Sequence, residues 1–169
     1  MVISDQKLRS DRLVFYSQDV HRIDGELDGY LELSGARCAL LIDRDGHLVT
    51  RRGDAAQSSL ESISALIAGS FAATREMARL LGEEQFTTLF HQGQRDSIQI
   101  SLVGERALFA TVFDERTNLG LVRYYAVEAG KRIEAALADM AARAPQADGG
   151  DQLSGDFSRD AAAALDKLF

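Results

Sequence analysis

Apolar positions along this chain follow two rhythms, and the switches between them lay out the elements. After a polar start, Leu13, Val14, Phe15 and Tyr16 form a run of edge-strand length. Val20, Ile23, Leu27, Tyr30 and Leu31 then recur every three or four residues, the spacing that lines up one helix face. Ser17 is placed to cap that helix, Asp19 lies in its first turn at the positive end of the dipole, and Gly35 is a stop. A helix over residues 17–34 follows.

The rhythm changes at residues 38–42, CALLI, a continuous apolar run typical of a strand covered on both faces. Asp43-Arg44-Asp45-Gly46 is a turn cluster, and residues 47–51 return as the second strand of a hairpin. A polar loop over 53–59 leads to the longest helical pattern, 60–81. There Leu60, Ile63, Ile67, Phe71, Thr74, Ala78 and Leu81 share one stripe, and Gly82 ends it. Residues 86–94 have strand character. In 97–103 Ile98, Ile100 and Leu102 alternate, 104–106 is a turn, and 107–113 is a further strand. Leu119, Val122, Ala126, Ala129, Ile133, Leu137 and Met140 define a last long helix. The order is αββαβββα: about five antiparallel strands with three helices, an α+β sandwich. At Ala144-Pro145 the character shifts to a loop-like stretch over 147–155 and a short apolar pattern over 157–169, with five acids against two bases in 144–169.

Composition narrows the function classes. The 169 residues suit one domain, and 46% hydrophobic with 27% charged residues excludes a wholly disordered chain. A net charge of −7, with bases scattered and densest only at Arg51-Arg52, speaks against nucleic acid. The single cysteine, Cys38, cannot form an internal disulfide or a thiolate metal cage. The polar first ten residues lack a signal peptide's apolar core, and no uncharged apolar run approaches the ~20 residues of a membrane span. The cytoplasm is therefore the expected compartment, with no membrane partner.

Catalytic chemistry is missing from the pattern. His21, His47 and His91 include no pair at helical zinc spacing, and Cys38 lies in an apolar strand where an inert thiol is expected. No nucleophile elbow and no phosphate-binding glycine loop occur. Asp43, Asp45 and Gly46 faintly resemble a calcium loop, but residue 48 is Leu where that loop needs Gly, so a hairpin turn explains them better. No catalytic residue, cofactor or metal is expected in this chain.

What the pattern does contain is a bare helix side. No charged residue occurs from Ser62 to Thr74, and Ala65, Ala68, Gly69 and Ala72 lie opposite the core stripe, framed by Arg75, Glu76 and Arg79. Small residues let another backbone come close, and Gly69 costs the helix roughly 1 kcal/mol relative to Ala, which suggests a packing reason. Two readings stay open and are compatible: a helix sandwiched within the fold or a homodimer, and a shallow docking surface for another protein. The chain's last stretch is the second feature. Ala161, Leu165, Leu168 and Phe169 share a helical face preceded by Phe157, but about ten residues make a marginal helix in water. A weak tethered contact or a disordered tail are the alternatives there.

Four segments, ALLIDRDGHLV (39–49), LIAGSFAATREMARLLG (66–82), FHQGQRDS (90–97) and FDERTNLGLVR (113–123), resemble the MglB family. These are bacterial Roadblock/dynein-light-chain-type regulators of the Ras-like GTPase MglA. The resemblance covers about residues 13–142, and ALDKLF is similar to a C-terminal helix found in some members. It implies a Roadblock domain over 1–143, a flexible linker over 144–157 and a short amphipathic helix over 158–169. The implied sandwich has one helix on one face of the sheet and two on the other.

Further implications concern partners. Such proteins form homodimers joined through the third strand, here Phe86, Leu89, Phe90, His91, Gln92 and Gly93, with the two second helices side by side as a platform for MglA·GTP. That platform would comprise Ala65, Ala68, Gly69, Ala72, Arg75, Glu76 and Arg79. Two protomers bind one GTPase and remodel its switch regions without an arginine finger, so GTP and Mg belong to the partner. The C-terminal helix, Phe157, Ala161, Leu165, Leu168 and Phe169, is linked in relatives to nucleotide exchange. The expected setting is cell polarity or motility, with a cell pole as a place of concentration. A non-catalytic Roadblock scaffold and a small-ligand sensor domain remain the alternatives.

Overall fold

The computed structural model describes residues 17–54 and 59–143. The strand expected at 13–16, the linker at 144–157 and the C-terminal helix with Phe157, Ala161, Leu165, Leu168 and Phe169 lie outside the described residues. The elements are α1 (Ser17–Ser34), β1 (Cys38–Asp43), β2 (Leu48–Gly53), α2 (Leu60–Leu81), β3 (Thr88–Gln92), β4 (Ser97–Val103), β5 (Ala107–Phe113) and α3 (Leu119–Arg143). This is the expected αββαβββα order.

The five strands form one antiparallel sheet in the order β2-β1-β5-β4-β3. The run CALLI is continuously apolar because β1 is an interior strand covered on both faces, with its residues 38–42 fully buried between β2 and β5. Alternate residues then serve two cores. Ala39, Leu41, Ala107 and Phe109 meet Ile23, Leu27 and Tyr30 of α1 and Ala126, Ala129 and Ile133 of α3. Cys38, Leu40, Ile42, Ile100, Leu108 and Ala110 meet Leu60, Ile67 and Phe71 of α2. One helix therefore covers one face and two cover the other.

Burial and polar satisfaction coincide at Tyr30. Its ring meets Phe109 edge-on, with centroids 4.9 Å apart, and its hydroxyl donates to Thr111 Oγ1 at 3.0 Å. Burial pushes that phenol above its usual pKa, so it remains a protonated donor. Cys38 is likewise buried and its thiol is pushed up, which fits an inert side chain.

Two strand boundaries and the burial of one residue differ from the sequence reading. Strand β2 starts at Leu48 because the amide of His47 donates to Asp43 Oδ1 at 2.8 Å and so completes the turn. Strand β3 is confined to Thr88–Gln92, which leaves Phe86 before it and Gly93 after it. Leu81, expected in the core stripe, is exposed, because Gly82 adopts a left-handed φ of 74° and the chain turns away there. The amides of Gly82 and Glu83 close that end on the carbonyls of Arg79 and Ala78.

Candidate docking platform

Helix α2 has three sides, each made by a different periodic set. Leu60, Ser64, Ile67, Phe71, Thr74 and Ala78 face the sheet. Ala65, Gly69, Ala72, Glu76 and Arg79 lie on one exposed flank. On the other flank Leu66, Met77 and Leu80 stand 71%, 51% and 70% exposed, with exposed Ala73 between them.

The structure divides the expected platform residues. Ala68 belongs to the buried core of the α2 face and does not lie on the open side. The reason is Gly46, held at φ +92° in the β1–β2 turn. A Cβ on Gly46 would stand 3.0 Å from Ala65 Cα and 3.4 Å from Ala68 Cβ. The smallness of Ala65 and Ala68 is thus explained within the chain, by a turn pressed against the helix. Gly69 has no such explanation, since nothing lies within 4 Å of the place its Cβ would take. Ala72 is exposed.

Charge on this helix is arranged locally. Arg79 clasps Glu76 through three hydrogen bonds, Nε to both carboxylate oxygens at 3.0 Å and one Nη to Oε1 at 2.6 Å. The guanidinium holds the Glu76 carboxyl below the usual range. Arg75 lines a cavity of about 290 Å³ together with Arg44, Phe71, Phe86, Leu102 and Leu108. Phe86 is therefore part of the cavity beside α2, outside the strand in which it was expected.

The residues expected at the third strand fall into different roles. Leu89 packs, half-buried, against the α2-side core. Phe90 points to the opposite face and stacks on Phe113 with centroids 6.2 Å apart. His91 and Gln92 are exposed, and Gly93 closes the β3–β4 turn, its amide donating to the Asp96 carbonyl at 3.1 Å. A Cβ on Gly93 would stand 2.3 Å from that same oxygen, so this glycine is required by the turn. Strand β3 pairs only with β4 among the described residues and forms one edge of the sheet.

Sequence reasoning missed the flank of Leu66, Ala73, Met77 and Leu80. Their separations of seven, four and three are a helical signal, obscured by a second apolar stripe on the same helix. Ligating side chains gather only at Asp43, Asp45 and His47 among the described residues. There Asp43 Oδ1 already accepts the amides of Asp45 at 3.0 Å and His47 at 2.8 Å, so the group shapes the hairpin turn. No described helix is long and apolar enough to cross a membrane.

A two-faced sheet with one bare helix on its single-helix side is the architecture of a known class. The Roadblock/LC7 domain matches residues 23–113, and the chain belongs to that family. Within it the chain is similar to three MglB structures. An MglB with a tetrameric arrangement is 34% identical, with 76% of this chain and 96% of that one covered and a TM-score of 0.72. The gliding protein MglB from Thermus thermophilus is 35% identical, with coverage of 75% and 96% and a TM-score of 0.71. Myxococcus xanthus MglB is 31% identical, with coverage of 76% and 96% and a TM-score of 0.70. No curated protein sequence matches the chain significantly.

Proposed function

We propose that the chain is a homodimeric GTPase-activating protein for an MglA-like small GTPase, acting in cell polarity or motility. The observation that carries this reading is the exposed side of α2, where three large apolar residues and a run of Ala and Gly meet solvent. A second copy covers the Leu66, Met77 and Leu80 flank, and the open β3 edge continues the same interface. Burying those side chains on both copies contributes on the order of 10 kcal/mol gross. Association costs about 4–15 kcal/mol, so the stripe alone makes a marginal dimer and edge pairing through Leu89, Phe90, His91 and Gln92 completes it.

The paired helices then offer Ala65, Gly69, Ala72, Arg75, Glu76 and Arg79 to the GTPase. The dimer acts by binding one conformer of the partner's switch regions more tightly. The partner's own side chains, GTP and Mg carry out phosphoryl transfer. Residues 158–169 contact the same GTPase elsewhere and influence nucleotide exchange.

The deciding experiment is GTP hydrolysis by the purified cognate GTPase, titrated with this chain. Acceleration that saturates at two chains per GTPase is expected. Binding without acceleration would make the protein a scaffold and overturn the activating role.

A further inference from the structure

The cavity beside α2 has a chemical character that the platform does not use. Arg44, on the β1–β2 turn, and Arg75, on α2, both line it, and neither makes an ion pair or a side-chain hydrogen bond among the described residues. By contrast Arg22, Arg37, Arg52, Arg79, Arg116 and Arg132 each hold a carboxylate. Beside these two arginines the lining includes Phe71, Phe86, Leu102 and Leu108, with Glu105 as the acid of the set. Such a site suits an aromatic side chain flanked by carboxylates, with a cation close by.

A segment of this chain has that composition. Residues 156–160 read Asp-Phe-Ser-Arg-Asp, placing Phe157 between two acids with Arg159 beside them. The route to the cavity is also present. Helix α3 ends at Arg143, two residues past Ala141, which lines an apolar groove with Val103, Leu137 and Ala138. Gly104 and Glu105 line both this groove and the cavity, so the two adjoin at the β4–β5 turn. Phe157 follows Arg143 by fourteen positions. A linker of that length spans about 20 Å root-mean-square, enough to cross a single turn.

We propose that, in the absence of the GTPase, the chain docks its own tail in this cavity, with the Phe157 ring on the apolar lining and Asp156 and Asp160 against Arg44 and Arg75. Arg159 lies toward Glu105. Because Arg75 and Ala72 belong to both the cavity and the expected GTPase footprint, the docked tail covers one end of the platform. That regulatory consequence rests on the function proposed above, whereas the docking itself does not.

The test needs no GTPase, so its failure is distinguishable from failure of the activating role. The chain contains no tryptophan, so Phe157→Trp in the full-length protein supplies a single emitter. Its emission is expected to be blue-shifted, with acrylamide quenching reduced several-fold relative to a free tryptophan analogue. Adding Arg44→Glu and Arg75→Glu, both at exposed positions, should return both signals to solvent values while far-ultraviolet circular dichroism stays unchanged. Solvent-like emission before the arginine changes, or protection that survives them, would overturn the proposal.

Discussion

The two faces of the sheet are finished differently. On one, α1 and α3 run side by side and are tied by charges that cross between them: Arg22 to Asp139 at 2.7 Å, Arg132 to Glu26 at 2.5 Å, and Arg143 to the buried Asp19. On the other, α2 lies alone, and its one described ion pair, Glu76 with Arg79, stays within the helix. The first layer links its two helices by ion pairs, though Leu33, Leu121, Tyr124 and Val127 are exposed on it. The second shows water leucine, methionine, alanine and glycine over most of its length, with Arg75, Glu76 and Arg79 gathered toward its C-terminal end. The contrast teaches that cross-helix charges tie the α1/α3 layer together, whereas α2 keeps its charge pairing within itself and leaves an apolar flank for the proposed interface.

Substitutions can break or sharpen this contrast, beginning where the effect is greatest. Ile133→Ala, in the fully buried core under α3, should cost about 2–5 kcal/mol of stability, read from urea unfolding. Leu66→Ala, on the exposed flank, should leave the stability of the isolated subunit within about 0.5 kcal/mol. Ala72→Arg should weaken GTPase binding by roughly 100-fold, about 3 kcal/mol, without altering the circular dichroism spectrum. Full stimulation by that variant would place the platform elsewhere.

Tyr30→Phe should cost about 1 kcal/mol near neutral pH, since it removes a buried hydroxyl hydrogen bond to Thr111. It should also change the alkaline limb of stability. The folded-state pKa of Tyr30 is raised, so its contribution is full below the unfolded value of about 10 and is lost as pH rises above it. Urea midpoints measured up to strongly alkaline pH should fall less steeply in the Phe variant.

The smallest effect belongs to the exposed Glu76–Arg79 pair. Glu76 is held low, so the pair's contribution is present above the unfolded carboxyl value of about 4.3 and is lost as pH falls through the lower folded one. In Arg79→Ala, the Glu76 titration midpoint followed by NMR should move up to the ordinary range.

Much of the fold was legible in the sequence because strong periodicity came with clear punctuation. Helix α2 is bounded by its apolar repeat and Gly82, and β1 by an apolar run ending in Asp43-Arg44-Asp45-Gly46. Strand β3 was less legible, since Phe86 is apolar for the sake of a cavity and Gly93 is small for the sake of a turn. The site was half legible. Absence of charge marked the open side of α2, but alanine carries too little hydrophobic signal to assign to one face. From sequence alone Ala68 therefore reads as exposed, and the approach of Gly46, a contact between residues distant in sequence, fixes its place in the core. Leu66, Met77 and Leu80 escaped for the opposite reason, because large apolar residues are expected inside and this helix keeps a second set outside.

The most direct measurement is the solution mass by sedimentation equilibrium at micromolar concentration, for the native chain and for Leu66→Glu with Met77→Glu. A native dimer and a folded monomeric variant are predicted. A native monomer, or a variant that still pairs, would contradict the claim that the outer side of α2 is where two copies meet.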